Sequence, residues 1–427
     1  MNKKNINVLI IPASSEAGLE IYECLKYKDN TTLFGSDTIE GHASCLYGSN
    51  YQLLPSFDKD DFINELNKLI KLKSIDFIFP TNEHLSLRLQ DNKNKIPCIV
   101  SLPGKNANLC CNKKQLYDYY KNKWFNPKMY DKNESISFPV FIKPIVGSGS
   151  KGARQINNAN EMSNYYNPER DVVCELLPGD EYTVDCFTDN KGSLLYVKPR
   201  KRCIIKDGKS HRTESVIKTT QITKIAEQLN HDIEFNGMWF FQIKKSKEGI
   251  FKLLEVSQRA AGTMCLDRVL GMNLPYMTLS NYYDYPITIN PSIDDFHAMV
   301  DRSLLNCLVD LSLKINRVII ESEIIENPNS FSLIVHFVCL CKIKGIKTEI
   351  TNKVTNDNQL IINLSAALFD NIINDLYSIK MSNDDKTLIV SANHEKYHQL
   401  ENNNCLVVGP ETITLLNNAV FLHTNTY

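Results

Sequence analysis

Hydrophobic residues in the first 110 positions alternate between short unbroken runs and helical spacing. Val8–Ile11 is a continuous apolar run and reads as a buried strand; Ala17–Leu25 follows with helical periodicity after the turn residues Ser14, Ser15 and Gly18. Thr31–Phe34 reads as a second strand. Phe62–Ile70 reads as a helix with Ile63, Leu66, Leu69 and Ile70 on its apolar side, and Ile75–Phe79 as a strand stopped by Pro80. This alternation predicts a parallel sheet with helices on both faces. A Rossmann-type dinucleotide site requires GxGxxG after the first strand. The turn here, PASSEAG, holds one glycine, so residues 1–110 read as a plain α/β domain.

The pattern changes after a helix expected over 112–123, with Leu116, Tyr119 and Tyr120 on its apolar side. Pro139–Pro144, Val172–Leu177 and Tyr182–Phe187 read as strands, the first followed by the Gly/Ser loop Val146–Gly152. Leu194–Val197 and Cys203–Ile205 read as a hairpin, Ile222–Leu229 as a helix, and Met238–Lys244 with Phe251–Val256 as paired strands. This middle part, 111–313, is α+β. From 314 to 427 the alternation is again α/β: strands at Arg317–Glu321, Thr348–Thr351, Thr387–Val390 and Cys405–Val408, helices at Phe331–Ile343 and Ala366–Asn374. The expected fold class is therefore a multidomain mixture of α/β and α+β.

Composition narrows the function classes. The chain has 427 residues, enough for two to four domains at roughly 150 residues each. Its 48 basic residues against 49 acidic ones give a net charge of −1, which excludes the basic surplus of a generic nucleic-acid or anionic-membrane binder. No apolar run approaches the ~18–20 residues of a membrane span, and Val8–Ile11 is too short for a signal-peptide core of about 7–15 residues. The 13 cysteines are odd in number and lack a CxxC pair, which reads as reduced cytoplasmic usage. The adjacent Cys110 and Cys111 are not spaced for a tetrahedral zinc site.

Four segments carry candidate chemistry. In FPVFIKPIVGSGSKG (Phe138–Gly152) a lysine sits inside an apolar strand and a Gly/Ser loop follows, a combination suited to phosphate oxygens; an edge strand with an exposed lysine is the other reading. In CELLPGDEYTVD (Cys174–Asp185), Glu175 and Glu181 flank a turn and could accept from an adenine amino group and ribose hydroxyls, or be solvated acids. Gln242 and LEVSQR (Leu254–Arg259) offer oxygen ligands for Mg²⁺ and a guanidinium for phosphate; a buried Glu255–Arg259 salt bridge is the alternative. The basic cluster PRKR (Pro199–Arg202), with His211 and Arg212 after it, fits an anionic ligand better than a solvated face.

In this order the segments resemble the ATP-grasp superfamily, over roughly residues 1–310. DFIFPTNEH in the upstream unit resembles the Rossmann-like domain that precedes these modules, and Asn112–Tyr120 (NKKQLYDYY) the helix that opens them. The nearest branch is the carbamoyl-phosphate-synthase-like proteins, many of which ligate a carboxylate to an amine. The resemblance implies that Lys113 and Lys143 contact ATP phosphates, that Ser148, Gly149 and Ser150 lie in a loop closing over them, that Glu175 and Leu177 line the adenine pocket and that Glu181 binds ribose. It implies Mg²⁺, or Mn²⁺ in its place, on Gln242, Glu255 and the position of Ser257; Arg259 on the transferring phosphoryl group; and Arg202 near the γ-phosphate or the substrate carboxylate. The family string E-[IV]-N-P-R is here Glu255-Val256-Ser257-Gln258-Arg259, so a shorter serine replaces a metal-binding asparagine. Arg200 and Arg212 are expected to hold an acidic substrate.

The C-terminal unit resembles the haloacid-dehalogenase-like (HAD) phosphatases. RVIIESEII (Arg317–Ile325) places Glu321 and Glu323 where that family has two aspartates; Thr351 and Lys380 match its second and third motifs, and the fourth falls on Ser391-Ala392, without an acid. The resemblance implies that fold without phosphatase activity. The expected function is an ATP-dependent carboxylate–amine ligase acting through an acylphosphate. Its partners are a small-molecule carboxylate and amine, an amino acid or uronic acid among the candidates, and the branch implies a homodimer. Ser257 and the degenerate third unit keep open a second reading, a nucleotide-binding pseudoenzyme or regulatory subunit without turnover.

Overall fold

The computed structural model describes residues 4–302 apart from 103, 131–133, 148 and 290–296, and four further strands in the C-terminal part. The chain divides into two compact units, Met1–Ala43 with Asn50–Leu304, and Ser44–Ser49 with Leu305–Tyr427.

The first unit opens with a five-stranded, all-parallel sheet of β1 (Ile6–Ile11), β2 (Thr31–Asp37), β3 (Tyr51–Leu53), β4 (Phe77–Pro80) and β5 (Ile99–Val100), in the order β3-β2-β1-β4-β5. The unbroken apolar runs of β1 and β4 are explained by their central positions, where both faces are covered. Helix Phe62–Lys73 packs Phe62, Ile63, Leu66, Leu69 and Ile70 on Leu9 and Ile78. Strand order reverses between β1 and β4, and in such sheets ligands bind beyond the carboxyl ends of the strands at that point.

Two antiparallel sheets follow. The smaller has the order β7-β6-β8, with β6 (Val140–Pro144), β7 (Arg154–Ile156) and β8 (Asp171–Glu175). The larger has the order β13-β12-β9-β10-β11-β14, with β9 (Glu181–Thr188), β10 (Leu194–Lys206), β11 (Lys209–Ser215), β12 (Gly237–Lys245), β13 (Phe251–Ser257) and β14 (Met299–Asp301). Helix Thr220–Ile233 covers this sheet. Its residues Ile222, Ile225, Ala226, Leu229 and Ile233 recur at helical spacing and join Val184, Trp239 and Phe241 in the core. Each buried Ile, Leu, Val or Phe among them contributes about 1.5–3 kcal/mol. Trp239 stacks on Phe235 at 4.0 Å between ring centroids and satisfies its indole N–H on Thr188 Oγ1 at 2.9 Å.

The hairpin expected between Leu194–Val197 and Cys203–Ile205 is instead one strand, β10. The turn comes later, at Asp207-Gly208, and leads into β11. PRKR runs through the middle of β10, where Arg200 and Arg202 are buried against partners on β9 and elsewhere.

In the second unit, β15 (Arg317–Glu321), β16 (Lys347–Thr351), β17 (Thr387–Val390) and β18 (Cys405–Val408) form a parallel sheet in the order β16-β15-β17-β18. Glu321 ends β15 and Thr351 ends β16. The expected helices Phe331–Ile343 and Ala366–Asn374, and residues Glu323, Lys380, Ser391 and Ala392, lie outside the described residues.

Candidate active site

Strand β6 explains its own lysine. Val140 and Ile142 point into a small core with Ile156 and Val173, so the alternation turns Phe141 and Lys143 to the other face, which lines a cleft. Lys143 is buried, its Nζ donating to the Tyr117 hydroxyl and lying 4.7 Å from the Tyr117 ring centroid. Tyr117 donates in turn to the Leu254 carbonyl at 2.6 Å. Burial lowers the Lys143 pKa from its ordinary value of 10.5, against the raising influence of Cys174, Glu255 and Glu181. Lys113, first residue of a helix capped by Asn112, reaches the same cleft and donates to the Gly147 carbonyl at 2.7 Å.

The glycine loop after β6 lies against the β10–β11 turn. A side chain on Gly208 would come within 2.4 Å of the Gly149 carbonyl carbon, so only glycine permits the contact. Gly149 and Ser150 both line the cleft; Ser148 lies outside the described residues. At the opposite wall, Glu175 ends β8 and Leu177 lies two residues beyond it. The Glu175 carboxylate accepts from the Lys128 backbone N–H at 2.8 Å, which fixes that wall.

Arg202 is at the centre. It lies on the same face of β10 as Arg200, while Lys201 points the other way to Asp180. Arg202 Nη1 donates to Glu181 Oε1 at 2.7 Å and to Gln242 Oε1 at 2.6 Å, and Nη2 donates to the Gly208 carbonyl at 2.6 Å. Its Nε–H is buried without a hydrogen-bond partner, and burial lowers its pKa. An unpaired donor on a buried cation is a costly arrangement unless an anion completes it.

Gln242 on β12 faces Glu255 on β13 in register. Glu255 makes no ion pair or side-chain hydrogen bond to the described residues, and it lines every part of the cleft. No group of three or more His, Cys, Asp or Glu suited to a metal occurs among the described residues. A free carboxylate beside an amide oxygen therefore fits Mg²⁺ carried in with phosphate oxygens, the usual manner for that ion, rather than a cage built by protein alone. Ser257 departs from the expected ligand set: its hydroxyl donates to Glu83 Oε1, in the upstream part of the chain.

The cleft continues past Arg202 and Glu255 to the carboxyl ends of β1 and β4, where Ser15, Glu16, Thr81, Asn82 and Glu83 line it. Here lie residues that the sequence reading passed over. Glu83 opens a helix capped by Asn82 and takes both Ser257 and Arg259, whose Nε donates at 2.8 Å. Burial alone would raise the Glu83 pKa, but the Arg259 charge and the Ser257 hydroxyl hold it below the ordinary value. The Arg259 guanidinium lies 5.2 Å from the Phe240 ring centroid. The available signal was TNEH directly after a buried parallel strand, which places polar residues at a sheet's ligand-binding end.

Arg200 also lines this part, almost wholly buried, with Nε on Asp185 Oδ2 at 2.5 Å and Nη1 on Thr263. Arg212 does not join it: its guanidinium makes a two-pronged pair with Asp301, 2.6 Å on each side, 40% exposed and away from the cleft lining. Strand β11 runs antiparallel beyond the bulged end of β10, which carries Arg212 to the Asp301 side.

Residues 168–298 match the family model described as ATP-grasp in the biosynthetic pathway with Ter operon. No curated protein matches the chain in sequence. Among solved structures, biotin carboxylase from Campylobacter jejuni in its β,γ-ATP complex is 15% identical, with 66% of this chain and 72% of that chain covered and a TM-score of 0.52. N5-carboxyaminoimidazole synthetase from Staphylococcus aureus, complexed with ADP, is 14% identical over 67% of this chain and 79% of that chain, TM-score 0.55. The biotin carboxylase domain of the Hydrogenobacter thermophilus 2-oxoglutarate carboxylase, with MgADP, ADP and bicarbonate, is 12% identical over 68% and 72%, TM-score 0.54. The chain therefore has a mixed α/β fold with an ATP-grasp module.

Proposed function

We propose that the chain is an ATP-dependent carboxylate–amine ligase that forms an amide through an acylphosphate, releasing ADP and phosphate. The observation that carries this reading is the convergence, in one cleft, of buried Lys143, the Nε–H of buried Arg202 and the carboxylate of Glu255, the last two without a hydrogen-bond partner among the described residues. Solved proteins of the same fold hold ATP, ADP or MgADP, and the matching family model is described as biosynthetic.

A carboxylate is a poor electrophile at neutral pH. In the proposed first step a substrate carboxylate oxygen bonds to the γ-phosphorus of ATP, the bond to the β–γ bridging oxygen breaks and ADP leaves. In the second, the amine nitrogen attacks the acyl carbon, the carbon–oxygen bond breaks, phosphate leaves and the amine proton passes to solvent. The protein's part is positioning and charge stabilisation. Lys113 and Lys143 would hold phosphate oxygens from the glycine-loop side, and Arg202 from the β10 side. Glu181 would meet ribose, with Glu175 and Leu177 on the adenine wall. Glu255 and Gln242 would hold Mg²⁺, or Mn²⁺, which when bound supplies charge neutralisation at the phosphates. Arg259, aimed by Glu83, would face the transferring group, with Arg200 toward the acidic substrate.

The reading extends to an amino acid or uronic acid substrate in surface-glycan or small-peptide biosynthesis, and to a cytoplasmic homodimer. No helix among the described residues is long and apolar enough to cross a membrane. We read the C-terminal unit as HAD-like without phosphatase activity. The test is ADP release from MgATP with pooled carboxylates and amines. Substrate-dependent release is expected, with a loss of at least about 100-fold in Lys143→Ala and in Glu255→Ala; full turnover in either variant removes the assigned site. One observation favours the second reading, a nucleotide-binding protein without turnover: Glu83 already engages both Ser257 and Arg259. That reading requires ATP binding with no ADP release under any pool.

A further inference from the structure

The far end of the cleft holds a charge cluster that the nucleotide reading does not use. Glu16, Lys209 and Arg302 come from three distant segments: the first turn of helix Glu16–Leu25, the start of β11 and the residue after β14. All three line the cleft together with Arg202, Gln242 and Glu255, and none lines the part against β6 and β8. Lys209 Nζ lies 2.8 Å from Glu16 Oε1, and Arg302 Nη1 lies 2.8 Å from Glu16 Oε2. Each carboxylate oxygen thus receives one cation. Arg302 Nη2 is fixed by the Gly262 carbonyl. A side chain on Gly262 would meet Glu16 Oε2 and Arg302 Nη2 at 2.8 Å, so the glycine leaves the space that the pair occupies.

Two features separate the cluster from an ordinary surface ion pair. Two cations against one carboxylate leave a positive charge in excess inside a cleft. The pairs are also partly open, with Glu16 37% and Lys209 53% exposed, so they are screened and add little to stability. Burial disfavours the ionised Glu16, yet hydrogen bonds from Lys209 and Arg302 more than offset it and leave its pKa below the ordinary value. A two-oxygen planar anion is the group this geometry already accommodates.

We propose that Lys209 and Arg302 form a carboxylate-binding subsite for the substrate, and that Glu16 occupies it as an internal carboxylate until the substrate displaces it. Neither Lys209 nor Arg302 lines the part of the cleft that holds Lys143, and Arg202 and Arg259 are already assigned to the reacting end, so the group proposed for this subsite is a second carboxylate. The substrate class is a small molecule with two carboxylates, of which one is anchored and one activated. The inference rests on the ligase reading of the cleft.

The experiment is calorimetric titration of dicarboxylates from malonate to adipate, with butyrate as the single-carboxylate control, in the absence of nucleotide. Removing an internal competitor raises apparent affinity by the reciprocal of the fraction of sites it left free, so Glu16→Gln is expected to bind its best dicarboxylate about tenfold tighter than wild type if Glu16 holds about nine sites in ten. Lys209→Met and Arg302→Met are each expected to reduce that affinity toward the butyrate level, with unchanged near-ultraviolet circular dichroism as the check on folding. Unchanged or weaker binding in Glu16→Gln, or no preference over butyrate, overturns the proposal. Because no turnover is read, failure of the ligase assay leaves this result standing. Conversely, ligase activity whose KM for the carboxylate is unmoved by Lys209→Met sinks the subsite alone.

Discussion

At the residue scale the decisive group is Lys143, whose position in an apolar strand was the plainest signal in the sequence. What the sequence did not show is how the charge is held there. The Tyr117 hydroxyl accepts from the ammonium and is itself committed to the Leu254 carbonyl, and burial keeps that phenol neutral by pushing its pKa well up. The Lys143 pKa is lowered from 10.5 by burial, and in the proposed function the protonated form is the one that would meet phosphate. ATP affinity should therefore be present at neutral pH and be lost as pH rises through that lowered value, earlier than a free lysine would allow. Tyr117→Phe removes an acceptor of the charged form, so the loss should move to lower pH and affinity at neutral pH should fall by up to about 10- to 100-fold, the about 1.5–3 kcal/mol of a charge-assisted hydrogen bond. Equilibrium ATP binding from about pH 7 to about pH 10 tests this. A profile in Tyr117→Phe that overlays the wild type would mean that Tyr117 only fills space.

At the scale of elements, β1, β2 and β4 of the upstream sheet and the paired strands β12 and β13 were legible because each obeys a local rule, an apolar run for a strand covered by its neighbours or alternation around a turn for a hairpin, whereas the three-residue β3 and two-residue β5 carry no such pattern. Strand β10 was not. Its basic centre looked like a break, because the groups that neutralise it lie elsewhere: Asp185 on β9 for Arg200, and Glu181 and Gln242 for Arg202. Beneath Arg200 lies a second carboxyl, Asp267, which accepts from the Tyr196 hydroxyl at 2.8 Å. Burial and then the neighbouring Asp185 push the Asp267 pKa well above 3.8, with Arg200 pulling the other way. The folded protein therefore keeps a proton that the unfolded chain has released. That contribution to stability is complete below 3.8 and is lost as pH rises toward the folded value. Asp267→Asn should remove the decline, read as the pH slope of urea unfolding free energy from about pH 5 to about pH 8; an unaltered slope would mean that Asp267 is ionised in the fold. Asp185→Asn alone should cost less than the pair, because Asp267 can then ionise and take over Arg200. The double variant Asp185→Asn, Asp267→Asn leaves the guanidinium uncompensated and should lose about 3–5 kcal/mol.

At the scale of the molecule, the cleft is assembled from segments that no window of sequence joins. Glu83 reaches Ser257 and Arg259 across more than 170 residues, and Glu16 reaches Lys209 and Arg302. Read along the chain, Ser257 stands where the resembled family has a metal-binding asparagine; in three dimensions its hydroxyl belongs to the carboxylate of Glu83, first residue of the helix that follows β4. The second unit poses the same question with fewer clues. Its four parallel strands run in the order β16-β15-β17-β18, so the order reverses at β15, and the carboxyl end of that strand is Glu321. Ligands of such sheets bind at that end, and on the HAD-like reading proposed above it is where a nucleophile would stand. A glutamate there differs from an aspartate by one methylene, more than an ångström of carboxylate displacement, and in-line attack on phosphorus tolerates little misplacement. The unit should then hydrolyse no p-nitrophenyl phosphate with Mg²⁺, and Glu321→Ala should leave ADP release unchanged. Mg²⁺-dependent hydrolysis that disappears in Glu321→Ala would show instead that this carboxylate is a working nucleophile, and that the chain couples phosphoryl transfer in one unit to phosphate-ester cleavage in the other.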